Sequence, residues 1–238
     1  MVQDVPLRAV YPIDFGHRVE DIGLWRSLLR PSYRLIEVGS GDGRVQRLVG
    51  DAIGSGTWVG IELDGDHVWR RDLETPMSIG DAAEPRPWDV ALSFLDGGRA
   101  DIVIIPYSTL FLIPHGRQGN VIRNAARSLR NGGQLVIEHF IPKLQRSGTA
   151  FKACIYPWYR RSTFEVSTDT QVTSVLREYG IDDQIENFRP LQRVTETIYW
   201  REVPEIAAMC RATHLFSNVE NYDSITVPNG YAVTIATV

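Results

Sequence analysis

The chain has 238 residues, 43% hydrophobic and 23% charged, enough for one sizeable core and a single domain over 1–238. A net charge of −4 without a basic run excludes a general grip on a phosphate backbone, so nucleic acid is not an expected partner. Two cysteines, Cys154 and Cys210, lack CxxC or Cys/His spacing, which predicts neither disulfide framework nor metal site and suits a reducing cytoplasm.

Asp4, Asp14, Glu20 and Asp21 interrupt the first residues, so no signal sequence is expected. A helix is predicted over Val19–Arg30, stopped by Pro31. "YRLIEV" reads as a buried strand running into glycines, "RVQRLVGDAI" as a helix, and "TWVGIEL" as a second strand. "DGDHVWRRDL" then reads as a short helix, "PMSIGDA" as a third strand, and "WDVALSFL" as a helix. "ADIVIIPYSTLFLI" opens with a β-branched fourth strand; Ile102–Pro114 is too short and too polar to span a bilayer, so no membrane partner is expected. "RQGNVIRNAARSLR" has helical spacing, and Asn131-Gly132-Gly133 turns into a fifth strand, "QLVIEHF".

This alternation predicts an α/β fold, a doubly wound and mostly parallel seven-stranded Rossmann-like sheet. Past Phe140 the pattern changes. "TFEVSTDTQVTSVLREYG" and "NFRPLQRVTETIYW" alternate with period two, predicting an antiparallel β lobe over 143–200, inserted after the fifth strand as a substrate lid or dimer interface. "VPEIAAMCRATH" returns to helix, and "FSNVENYDSI" with "GYAVTIATV" forms a hairpin through Pro228-Asn229-Gly230.

Ligands of such sheets sit at the carboxyl ends of strands where the strand order reverses. Gly39, Gly41 and Gly43 lie there, in "GSGDGR". Glycines permit positive φ and let a ligand approach bare backbone. The dinucleotide fingerprint G-x-G-x-x-G requires a third glycine where this chain has Arg44. Glu62, 21 residues past Gly41, suits a carboxylate on the hydroxyls of a ribose, as a nicotinamide or another adenosine ligand would need. It also reads as an acid at a helix start, and Asp81 as a loop acid or cap.

"LIEVGSGDGR", "VGIELD", "GDA", "ADIVIIPYSTLFLI" and "LRNGGQLVIEHF" together resemble, in order and spacing, the motifs of class I S-adenosylmethionine-dependent methyltransferases, over about residues 15–141. The lobe and "YSTLFLIP" are similar to the small-molecule branch that includes sugar N-methyltransferases of antibiotic pathways. The resemblance implies S-adenosyl-L-methionine as cofactor. Glu37, Gly39, Ser40 and Gly41 would lie along its methionine end, with Glu37 near the ammonium, directly or through water. Glu62 would hold the ribose hydroxyls and Leu63 would pack on adenine. Asp81 would accept the exocyclic amine, Ala82 would present its amide to a ring nitrogen, and Pro106 and Tyr107 would border the methyl group. "IIPYS" shares Pro-Tyr with enzymes acting on adenine or glutamine amides but lacks their preceding Asp or Asn and second proline, which disfavours such targets.

The implied activity is methyl transfer to an N or O atom of a small, natural-product-like molecule. Displacement at a sulfonium needs collinear, dry reactants and modest acid–base help. Candidate bases are Tyr107, His115 and His139, with Tyr11 and His17 from the amino-terminal segment; His139 ranks first because it ends the fifth strand, with Glu138 on the opposite face. Each of these histidines equally suits a purely hydrogen-bonding role. Tyr156, Trp158, Tyr159, Phe164, Tyr199 and Trp200 crowd the lobe, suiting substrate stacking, a small core or a subunit interface. Its strand edges admit pairing in a homodimer. Two other readings stand beside this one. A nicotinamide-dependent oxidoreductase requires the missing glycine and a Tyr-x-x-x-Lys-type dyad that is not found, whereas a cofactor-binding cyclase or scaffold would keep the same glycines and acids.

Overall fold

The computed structural model describes residues 2–14, 18–68, 75–96, 98–140, 147–181, 188–222 and 231–238, and the chain divides into two compact units, Val19–Ile141 with Arg201–Val238, and Met1–Arg18 with Pro142–Trp200. In chain order the strands are β1 (Gln3–Asp4), β2 (Arg34–Val38), β3 (Thr57–Glu62), β4 (Met77–Ile79), β5 (Ala100–Ile105), β6 (Leu129–Phe140), β7 (Gly148–Ala153), β8 (Tyr159–Ser167), β9 (Val172–Gly180), β10 (Gln192–Tyr199), β11 (Asn218–Tyr222) and β12 (Tyr231–Thr237). The α-helices are α1 (Leu7–Asp14), α2 (Ile22–Leu28), α3 (Arg44–Val49), α4 (Gly65–Val68), α5 (Pro85–Ser93), α6 (His115–Ser128) and α7 (Val203–Ala212).

The larger unit is built on a seven-stranded sheet ordered β11-β12-β6-β5-β2-β3-β4. β2 to β6 pair in parallel and β12 and β11 antiparallel. This is the α/β, mostly parallel sheet that the alternating pattern predicts. Strands β2, β3 and β5 are apolar almost throughout because both of their faces are covered. One face buries Leu35, Ile102, Ile104, Val136 and Val233 under Trp25 and Leu29 of the α2 segment and Val45 and Val49 of α3. Strand order reverses at β2, with β3 on one side and β5 on the other, so a ligand crevice is expected above the ends of β2 and β5.

Several boundaries differ from the sequence pattern. Helix α2 stops at Leu28, since Leu29 is already extended ahead of Pro31. Helix α5 starts at Pro85, whose fixed φ suits the first turn. The Asn131-Gly132-Gly133 turn lies inside β6 as an irregularity: Leu129 pairs with Ala100, and the register resumes with Gln134 against Ile102. Part of the "DGDHVWRRDL" helix and the Pro228-Asn229-Gly230 connection lie outside the described residues.

The smaller unit is a five-stranded sheet ordered β1-β10-β9-β8-β7. Its first strand comes from the amino terminus, where Gln3 and Asp4 pair in parallel with Gln192 and Arg193. Helix α1 buries Val10 with Tyr179 and Val194, while Trp158 packs against the same cluster. Phe151 stacks on Tyr159 and meets Phe188 edge-on, so these rings contact one another within the unit, whereas Tyr156 is 89% exposed. Asp14 is buried, ion-paired to Arg160, and accepts the Tyr179 hydroxyl at 3.0 Å. Burial and the Asp14 charge push the Cys154 thiol up to about 11, and burial pushes Cys210 up to about 12.

Candidate cofactor and methyl-transfer site

Glu37 ends the apolar face of β2. Its side chain is buried, and Oε2 accepts hydrogen bonds from Ser40 Oγ and Trp58 Nε1, each at 3.0 Å. A carboxylate at this depth is tolerable because charge-assisted bonds compensate its desolvation. After it, Gly39, Gly41 and Gly43 all have left-handed φ, of 70°, 51° and 80°. Gly39 is required twice over, because a Cβ there would also meet Thr109 Cγ2 at 2.4 Å. Thr109 is itself tied to the Pro106 carbonyl through its hydroxyl at 2.7 Å, so the segment after β5 locks against the glycine loop. At Gly41 a Cβ would meet nothing nearer than 4.0 Å, which leaves this stretch of backbone open.

Glu62 ends β3, and its carboxylate ties the two loops together. Oε2 accepts from Gly41 N at 2.8 Å and Oε1 from Asp64 N at 3.1 Å. Beside Glu62, Leu63 is 69% exposed, and Ile79, at the end of β4, is 51% exposed. Large apolar side chains left exposed at a crevice are informative in a way that scattered ones are not. Asp81 follows: Oδ1 accepts from Ala83 N at 2.8 Å and Oδ2 from Arg117 Nη1 at 2.6 Å. The Ala82 carbonyl takes Trp88 Nε1 at 2.8 Å and Asn124 Nδ2 at 3.3 Å.

Across the crevice, Pro106 is buried, and Tyr107 and Ser108 both have left-handed φ, of 54° and 59°. Such a pair of non-glycine residues is strained and needs external support. Glu138 supplies it: its Oε2 accepts Tyr107 N at 2.8 Å, and its carbonyl accepts Ser108 N at 3.0 Å. The Tyr107 ring lies 6.0 Å from that of Tyr231, with the Arg44 guanidinium 5.5 Å from its centroid. Arg44 stands where the dinucleotide fingerprint would need glycine. Its guanidinium is buried and grips Asp21 with both terminal nitrogens, at 2.9 and 2.6 Å.

His139, ranked first as a base, sits on the other face of β6. It is 0% exposed, its ring 5.8 Å from that of Phe111, and Nε2 lies 3.2 Å from Thr234 Oγ1. Thr234 spends its hydroxyl proton on Asn221 Oδ1 at 2.9 Å, so Nε2 of His139 is the donor in that bond. The period of a strand put Glu138 and His139 on opposite faces, and the acid rather than the imidazole supports the Tyr107 backbone. His139→Ala is accordingly expected to destabilise the fold by about 2–3 kcal/mol, from a lost buried ring plus the lost hydrogen bond to Thr234. Its urea midpoint should fall, with ligand affinity unchanged. His115 begins α6, Tyr11 lies on α1 of the smaller unit, and His17 falls outside the described residues.

The donor set fits an adenosine ligand bearing an amino-acid tail: open backbone at Gly41, two strand-end carboxylates, exposed apolar flanks at Leu63 and Ile79, and a held acid at Asp81. Sequence reasoning placed Glu138 on its face of β6 without its role and missed Arg117 and the Asp21–Arg44 pair; only the acid–base complementarity of residues far apart in the chain could have signalled the last two. Among the described residues no group of three or more His, Cys, Asp or Glu side chains could hold a metal ion, and no helix is long and apolar enough to cross a membrane.

No protein-family model and no curated protein matches the sequence. Solved structures do match. The CcbJ methyltransferase from Streptomyces caelestis aligns with a TM-score of 0.75 over 98% of this chain and 96% of that one, at 16% identity. SAM-bound CalS10, an amino pentose methyltransferase from Micromonospora echinaspora, aligns with a TM-score of 0.69 over 91% of this chain and 89% of that one, at 16% identity. The sugar N-methyltransferase KedS8 from Streptoalloteichus sp. aligns with a TM-score of 0.66 over 94% and 89% of the two chains, at 17% identity. The fold is that of class I S-adenosylmethionine-dependent methyltransferases.

Proposed function

We propose that this chain, which has the class I methyltransferase fold, transfers a methyl group from S-adenosyl-L-methionine to a nitrogen or oxygen atom of a small organic molecule. The observation that carries this reading is the unobstructed Gly41 backbone, bonded to Glu62 at 2.8 Å where the strand order reverses. Glu62 places a carboxylate where a ribose would lie, Leu63 and Ile79 offer apolar cover for a purine, and Asp81 offers an acceptor to its amine. Glu37 supplies negative charge near the glycine loop for an ammonium, directly or through water. The cofactor supplies an electrophilic methyl group on a cationic sulfur. The chain's own contribution is then to position and to exclude water, with Tyr107 as the wall and Glu138 as the group that holds that wall.

Proteins of the same fold that act on an amino pentose or as a sugar N-methyltransferase support a small acceptor rather than a macromolecule. The test is calorimetry of the purified chain with S-adenosylhomocysteine and, separately, NADH. Binding of the first alone is expected, followed by a gain of one methylene mass on a member of an amine and alcohol panel. Binding of NADH alone would overturn the reading in favour of hydride transfer.

A further inference from the structure

Helix α6 turns one face to the segment after β4. Arg117, in its first turn, and Asn124 are seven residues apart and so project from the same side. Asn124 holds the Ala82 carbonyl, while Arg117 donates through Nη1 to Asp81 and through Nη2 to Glu84. Together with the Ala83 amide, the guanidinium gives each Asp81 oxygen one protein donor, which fixes the carboxyl plane and leaves one lone pair on each oxygen. Two acids converge on this one cation. Without it, Asp81 and Glu84 would repel, and Asp81 would lose its fixed aim.

We infer that Arg117 is a positioning residue for nucleobase recognition: by clamping Asp81 against Glu84 it presents an acceptor to the exocyclic amine of a 6-aminopurine and selects against a 6-oxopurine. The inference rests on the proposed reading of the crevice as an adenosine site and adds the residue that gives it base selectivity. Arginine suits the role because its planar fork addresses two carboxylates at once, which a lysine ammonium does less well.

The experiment measures the affinities of S-adenosylhomocysteine and S-inosylhomocysteine for the wild type, Arg117→Gln, Arg117→Lys and the double variant Arg117→Gln/Glu84→Gln. The wild type should prefer the adenosyl compound. Arg117→Gln should weaken adenosyl binding roughly tenfold while leaving inosyl binding within about twofold, and Arg117→Lys should fall between. Removing Glu84 in the glutamine background should restore part of the preference, because the repulsion is gone, a rescue that a merely structural role would not produce. Equal losses for both nucleosides, or no loss for either, would overturn the inference while leaving the adenosine site standing. A wild type that binds neither compound would overturn the site itself, and this inference with it.

Discussion

Glu62→Ala is expected to weaken S-adenosylhomocysteine binding by roughly 100- to 1,000-fold, measured by calorimetry. The magnitude follows from two charge-assisted hydrogen bonds to the ribose at about 1.5–3 kcal/mol each, partly offset by water entering the space left behind. The loop suffers as well. Gly41 N loses the acceptor it reaches at 2.8 Å and Asp64 N the one at 3.1 Å, so the bare backbone at Gly41 loses its tether to β3. Glu62→Gln separates the two effects: its carbonyl oxygen still accepts from Gly41 N, but the charge is lost, and an intermediate affinity is expected. Unchanged affinity in Glu62→Ala would remove the ribose role and with it the main support for an adenosine ligand.

Breaking the Asp21–Arg44 pair should have the largest effect on stability. Arg44→Met leaves the Asp21 carboxylate, only 10% exposed, without its guanidinium, and removal of one partner from such a pair costs about 3–5 kcal/mol. That is a large fraction of the roughly 5–15 kcal/mol available to a typical domain. The double variant Asp21→Asn/Arg44→Met should be less damaged than Arg44→Met, because no buried charge is stranded. Acid titration offers an independent check. Burial raises the Asp21 pKa, but the Arg44 hydrogen bond and charge outweigh it, and Trp25 Nε1 adds a second donor, so the net shift is downward. A carboxyl lowered on folding contributes stability that is complete above its unfolded pKa of about 3.9 and is lost as pH falls through the folded value. Urea midpoints of the wild type should therefore decline below about pH 4 more steeply than those of Asp21→Asn. Identical slopes would show that the pair carries no net coupling.

The same pair illustrates where a sequence stops informing. That Arg44 breaks the dinucleotide fingerprint was evident from the glycine spacing alone. That its guanidinium reaches back 23 positions to Asp21 and lies beside the Tyr107 ring was not, because no local period relates these residues. Likewise, the two-residue period of β6 separated Glu138 from His139 without stating which of them faced Tyr107; that followed from which neighbours each face of β6 meets, Thr234 of β12 and Phe111 on one side and the Tyr107 backbone on the other.

The sequence by itself determined the alternation of strands and helices, the mostly parallel sheet, the glycine loop after the first long strand and the acids ending β2 and β3, since each is written in short-range periodicity, β-branching and turn chemistry. Tertiary structure alone decided that Gln3 and Asp4 complete the smaller unit's sheet, that Asp14 meets Arg160 across most of the chain, and that Arg117 holds Asp81. These are pairings between charges or strand edges remote in sequence. Their partners are chosen by how packed elements bring them together, and no local pattern records that choice.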